Sequence, residues 1–201
     1  MRSNLGTWAV PLQQLPAVGN WMHDVLPNES YDPHFGGQAL ETTYFDTQAF
    51  ALRKARVAGQ RYLTLRIRCY QSHDGEAYAL SAKTESEKWR QEITEEAADQ
   101  LLEGASTFNH YLPAHLAARL TELTADVDPI PVSTICYRRY AVEDEASRFT
   151  LDTGVYTHTG KRLPYGVLEY KATPAALWPP TLVPRHLYPL KLSKFLWSTK
   201  T

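Results

Sequence analysis

Hydrophobic and polar residues alternate strictly in TLRIRCY (64–70), which puts Leu65, Ile67 and Cys69 on one side of an extended strand and Thr64, Arg66, Arg68 and Tyr70 on the other. One face is apolar and the other is cationic. After the turn residues His73, Asp74 and Gly75, the run EAYALSAKTE (76–85) brings Lys83 into strand context. KWRQEI (88–93) then sets Lys88, Arg90 and Glu92 opposite Trp89 and Ile93. The habit returns in YRRY (137–140), RFTLD (148–152) and VLEYK (167–171), where Glu169 and Lys171 share a face opposite Leu168 and Tyr170. One such strand is the wet side of an ordinary antiparallel sheet. Repetition of cations from strand to strand, with one or two carboxylates among them, suits a polyanion and its metal better than bulk water.

The same reading along the chain predicts an opening strand over 4–11 and an amphipathic helix over 12–26, with Leu15, Val18, Met22 and Val25 near the helical period and Pro16 in its first turn. Residues 27–37 read as loop; His23 and His34 flank or occupy it and are left out of the site. A second strand spans 38–45, and Asp46 and Thr47 are positioned to cap a short helix over 48–55. Thr94 is an N-cap, with Glu95 and Glu96 in the first turn and Gly104 as the stop. A further helix covers 113–124, and strands six to eight fall at 132–142, 148–155 and 166–172. Thr173 and Pro174 open a short helix to Trp178, after which prolines keep the chain extended to LSKF (192–195). The result is an α+β fold. Eight mostly antiparallel strands, each with an apolar and a charged face, are reconciled by a closed eight-stranded β-barrel with helices outside and a polar, charged lumen. Nothing reads as a linker or repeat, so a single domain over 1–201 is expected.

Composition narrows the function. Lys and Arg number 21 against 22 Asp and Glu, a net charge of -1, so no global basic field points to duplex nucleic acid or an anionic membrane. Any anion site is local. Cys69 and Cys136 lack metal-ligand spacing and read as reduced thiols, and no run of about 18 apolar residues reads as a membrane span. A soluble, cytoplasmic protein is expected.

The order and spacing of TTYFDT (42–47), LRIRCY (65–70), the lysine of SAKTE (Lys83), RFTLDT (148–153), VLEYK and LSKF resemble the triphosphate tunnel metalloenzymes. Within them the chain resembles the VTC-like polyphosphate polymerase branch more than the CYTH branch of adenylate cyclases and thiamine triphosphatases. The resemblance spans residues 38–195 and implies an eight-stranded antiparallel tunnel. Its basic side chains would hold triphosphate, polyphosphate or a nucleoside triphosphate, and its acidic ones Mg2+ or Mn2+. On that resemblance Arg66 and Arg68 look like the paired tunnel arginines and Lys83 like the lysine of the next strand. Arg139, from Tyr-x-Arg, and Arg148 look like the phosphate ligands of the second half. Glu169 looks like the catalytic metal carboxylate, and Lys194 like the lysine of the terminal SKF segment, serving binding and catalysis. Lys88, Arg90 and Glu92 resemble the mixed strand that follows in the CYTH branch, and Lys171 follows from alternation.

One departure stands out. The CYTH branch opens on alternating glutamates ending in lysine, whereas residues 6–11 carry no charge. That leaves Glu169 as the principal metal ligand, with Glu41, Glu92 and Asp152 as further candidates. The expected activity is metal-dependent phosphoryl transfer or hydrolysis on a bound triphosphate or polyphosphate. A noncatalytic phosphate or polyphosphate binder is the alternative, motivated by the uncharged first strand. A single-stranded nucleic-acid-binding barrel, motivated by 11% aromatic content, ranks last. Its aromatics Tyr70, Tyr137 and Trp89 form no run on the cationic face, and Glu169 opposes a phosphate backbone.

Overall fold

The structure is a computed structural model that describes residues 3–26, 37–72, 75–173, 183–184 and 187–199. Among the described residues nine strands, in the order β5-β4-β3-β2-β6-β7-β8-β1-β9, make one sheet with helices beside it. They are β1 (Ser3–Pro11), β2 (Gln38–Asp46), β3 (Thr64–Ser72), β4 (Gly75–Lys83), β5 (Lys88–Ile93), β6 (Ile130–Glu143), β7 (Ser147–Thr157), β8 (Tyr165–Ala172) and β9 (Tyr188–Pro189). The order begins at β5 and ends at β9, so the described strands form an open sheet rather than the expected closed barrel of eight. The ninth strand is two residues long, pairing Tyr188 with Ala9 and Pro189 with Trp8 on the outer side of β1. So short a bridge, half of it proline, has no alternation by which to be recognised. The helix expected over 173–178 lies outside the described residues apart from Thr173, as do most of the loop expected over 27–37 and the turn residues 73–74.

The chain divides into two compact units: Met1–Leu40 with Cys136–Ser193, and Glu41–Ile135 with Lys194–Thr201. In the first, α1 (Leu15–Val25) buries Val18 and Met22 in a cluster with Val10, Phe149, Leu151, Leu168 and Tyr170. The expected helix over 12–26 is split, because residues Leu12–Gln14 form a 3-10 turn before the α-helix begins. Pro16, which has no N–H to donate, sits at the start of that helix, where the donor is not needed. Gly166 lets the helix come close, since a Cβ there would lie 2.5 Å from the Leu15 Cδ2.

In the second unit, Phe45, Leu65, Ile67, Leu80 and Ala82 pack against α3 (Glu95–Leu102) and α4 (Ala114–Thr124) through Leu101, Leu116 and Leu120. Thr94 caps α3, its hydroxyl accepting from the Ala97 N–H at 3.2 Å. Asp46 does more than the expected capping. Its buried carboxylate accepts from the N–H groups of Thr47, Leu52 and Arg53, each at 2.8 Å, and so fixes α2 (Ala51–Val57) to the end of β2. Both cysteines are thiols, and burial pushes Cys69 up to about 12, with Glu76 adding to the shift. Among the described residues no helix is long and apolar enough to cross a membrane.

Candidate functional site

Directly opposed residues of an antiparallel pair point to the same side of the sheet, so strand register decides which polar residues meet. In the second unit β4 lies between β3 and β5. Arg66 faces Ser81, which faces Arg90; Arg68 faces Ala79, which faces Glu92; and Thr64 faces Lys83, which faces Lys88. The middle strand thus offers only Ala79 and Ser81, both buried, as a low floor between long side chains. The apolar residues of β3, Leu65 and Ile67, are at most 3% exposed on the other side.

Several contacts hold the cations in place. Arg68 donates through Nε to the Thr42 hydroxyl at 3.1 Å and through Nη1 to the Tyr70 hydroxyl at 3.4 Å. The Tyr70 ring also takes two guanidinium groups, Arg68 at 5.7 Å and Arg90 at 4.9 Å from its centroid. Lys83 and Lys88 stand directly opposite each other and are exposed. Like charges so placed are destabilising by themselves, and an anion across them reverses the sign of that term. Lys194 opens α5 (Lys194–Ser198), whose Phe195 packs on Tyr44 with ring centroids 5.3 Å apart. Tyr44 alternates in step with Thr42, the acceptor for Arg68, so α5 is anchored to the cationic side of β2.

Glu41 is out of step with Thr42 and shares the side of Phe45, a core residue, and its charge acts on the buried Cys69 thiol. The structure therefore places Glu41 away from Arg66 and Arg68. Glu92 is the carboxylate in register with them.

In the first unit, Phe149, Leu151, Leu168 and Tyr170 form the apolar side. On the opposite side Arg148 faces Lys171, Thr150 faces Glu169 and Asp152 faces Val167 across β7 and β8, while Thr7 of β1 faces Glu169 from its other flank. Arg148 and Lys171 are a second pair of opposed cations. Each has an acidic neighbour: Arg148 Nε lies 3.6 Å from Glu143, and Lys171 Nζ lies 3.1 Å from Glu169 Oε2. Thr150 is 2% exposed, and its hydroxyl oxygen is buried without a hydrogen-bond partner among the described residues.

Arg139 and Asp152 form a fork, with Nε to Oδ1 at 2.6 Å and Nη2 to Oδ2 at 2.7 Å. Burial is the largest single influence and works against the guanidinium charge, but Asp152, Tyr137 and Glu169 together outweigh it, and Arg139 is held well above its ordinary range. Asp152 is fully buried and has both oxygens engaged by Arg139.

The charged residues thus fall into two groups by unit. Arg66, Arg68, Lys83, Lys88, Arg90 and Glu92 share one face, joined by the helix of Lys194; Arg139, Arg148, Asp152, Glu169 and Lys171 share another. Sequence reading placed Tyr70 on the cationic side but could not show that Arg90, two strands away, reaches its ring. Thr42, Ser81, Ala79 and Thr150 were missed, because they are small, uncharged and significant only through register.

Among the described residues that offer oxygen to a hard divalent cation, the Glu169 carboxylate and the Thr150 hydroxyl lie opposite each other across β7 and β8. The donor set suits Mg2+ or Mn2+.

A Bacillus halodurans protein carrying a provisional adenylate cyclase assignment superposes with a TM-score of 0.61 at 16% identity, over 83% of this chain and 78% of that one. The PH1819 protein of Pyrococcus horikoshii gives 0.47 at 12% identity, over 84% and 77%. No curated protein matches the sequence. The VTC domain family model matches residues 7–201, and the chain belongs to that family.

Proposed function

We propose that this chain binds an inorganic triphosphate, a polyphosphate or the triphosphate of a nucleotide through the cationic strand residues gathered in its units and catalyses phosphoryl transfer or hydrolysis with Mg2+ or Mn2+ at Glu169. A single domain over 1–201 belongs to this proposal. The observation that carries it is the repeated opposition of like charges, Lys83 with Lys88 and Arg148 with Lys171, in strands whose other sides are core. A sheet that only needed a wet side would gain by alternating the signs.

Phosphoryl transfer asks a protein chiefly for alignment and charge neutralisation. Arg66 and Arg68 would grip non-bridging oxygens, with Thr42 and Tyr70 limiting the freedom of Arg68. Arg90 is held from the far side of the Ala79–Ser81 floor, and Lys83, Lys88 and Lys194 add point charges. In the other unit Arg139, paired with Asp152, and Arg148 would hold phosphate oxygens, with Lys171 beside them. A divalent ion at Glu169 would supply charge neutralisation on the phosphate oxygens.

The noncatalytic reading keeps one specific support: β1 presents Thr7 and Ala9, neither a carboxylate, opposite Glu169 and Val167. Phosphate release from inorganic triphosphate, nucleoside triphosphates and polyphosphate, each with Mg2+ or Mn2+, separates the two. Metal-dependent release from one of these substrates is expected. Binding without release under every condition would make the chain a binder.

A further inference from the structure

Buried hydroxyls ordinarily have hydrogen-bond partners, and one that lacks a partner costs stability. Among the described residues Thr150 is such a residue, and its location is informative. It sits in the middle of β7, 2% exposed, with Arg148 and Asp152 as the next residues on its own side and Glu169 directly across on β8. The charged groups around it are engaged: Asp152 with Arg139, Glu169 with Lys171, and Arg148 near Glu143.

We infer that Thr150 is a protein ligand for the divalent cation, its hydroxyl oxygen and the Glu169 carboxylate holding the ion between β7 and β8. This rests on the reading of Glu169 as the metal carboxylate. Opposed residues have Cβ atoms about 5 Å apart. Oxygens at about 2.1 Å on either side of Mg2+ span about 4 Å. A short hydroxyl facing a longer carboxylate across one rung therefore matches a cation of that size. The ammonium of Lys171, 3.1 Å from Glu169, already occupies a cationic position beside this carboxylate. Its flexible four-carbon stem can yield Glu169 to a divalent ion. A neutral hydroxyl completes such a site without adding a second negative charge to a face that must accept a phosphate. β1 fits the same economy, placing Thr7 and no acid on the other flank of Glu169.

The test is Mn2+ binding to the full chain, followed by calorimetry with and without inorganic triphosphate, on wild type, Thr150→Val, Thr150→Ser and Glu169→Gln, alongside the metal-free melting temperature of each. Thr150→Val keeps the shape and removes the oxygen. It is expected to weaken Mn2+ binding tenfold or more, on the scale of losses around metal sites, while melting at or above the wild-type temperature because an unpartnered hydroxyl has gone. Thr150→Ser is expected to keep most of the affinity. Wild-type Mn2+ affinity in Thr150→Val, or an equal loss in Thr150→Ser, would overturn the inference; so would a Thr150→Val protein that melts well below wild type, since the hydroxyl would then have a structural partner. If Glu169→Gln loses Mn2+ and Thr150→Val does not, only the Thr150 assignment falls. If wild type binds no Mn2+, or Glu169→Gln binds it unchanged, the metal reading of Glu169 falls with it.

Discussion

Leu65→Ala is expected to lower stability by about 2–5 kcal/mol, whereas Arg66→Ala, one residue along, is expected to leave the melting transition close to wild type and weaken triphosphate binding about thirtyfold. The contrast follows from alternation on β3. Leu65 is fully buried with Ile67 and Leu80, so truncation removes packed methyl groups and leaves a cavity against α3 and α4. A loss of that size is a large part of the 5–15 kcal/mol that keeps a typical domain folded. Arg66 is half-buried on the other side, facing Ser81 with Arg90 beyond it. A charge-assisted hydrogen bond to phosphate is worth about 2 kcal/mol, which sets the thirtyfold figure. Arg68→Ala is the less clean probe, because it also strips contacts from Thr42 and Tyr70. Denaturant unfolding and triphosphate titration of Leu65→Ala and Arg66→Ala check the assignment. An Arg66→Ala chain that unfolds, with unchanged triphosphate affinity in the folded fraction, would show that the faces are reversed.

Glu169→Gln is expected to lower metal-dependent turnover by orders of magnitude while keeping or strengthening metal-free triphosphate binding. The amide removes a hard anionic ligand and also one negative charge from a face that gathers cations. The competing role is on view in the structure, since Glu169 pairs with Lys171 at 3.1 Å and their side chains are 20% and 36% exposed. Partly exposed pairs of this kind contribute about 0–1 kcal/mol, so charge balance alone predicts a small change in melting temperature and an unaltered Mn2+ titration. Phosphate release against Mn2+ concentration, with metal-free calorimetry on both proteins, separates the roles. An unchanged titration and turnover would remove Glu169 from the metal site.

The sequence was informative where side-chain period alone decides the outcome. The alternation in residues 64–70 and 167–171 located β3 and β8 and assigned Leu65, Ile67, Leu168 and Tyr170 to the core. Boundaries shifted where hydrogen bonding rather than hydrophobicity decides them. The helix expected over 48–55 begins at Ala51, because Asp46 reaches forward to the N–H groups of Leu52 and Arg53 and Phe50 takes a left-handed backbone. Pairings across strands were beyond reach, since register depends on which strands meet. Arg139 and Asp152 were read separately, as phosphate and metal ligands, yet they form one fork. Glu41 was read by its charge alone, and its step in β2 puts it on the side of Phe45, opposite Thr42. Thr150 has no charge and no motif, and became visible only as an oxygen without a partner among the described residues, opposite Glu169.

Calorimetric titration of the metal-free protein with inorganic triphosphate and, separately, with inorganic phosphate is the most direct test of whether these cations serve an extended polyanion. Arg66, Lys83, Arg90 and Lys88 come from three strands, so a longer anion engages several at once and a single phosphate cannot. Triphosphate should therefore bind on the order of a hundredfold tighter or more, and at a hundredfold excess over its Kd raise stability by about 2.7 kcal/mol. Equal affinities for phosphate and triphosphate would contradict a polyphosphate-binding face.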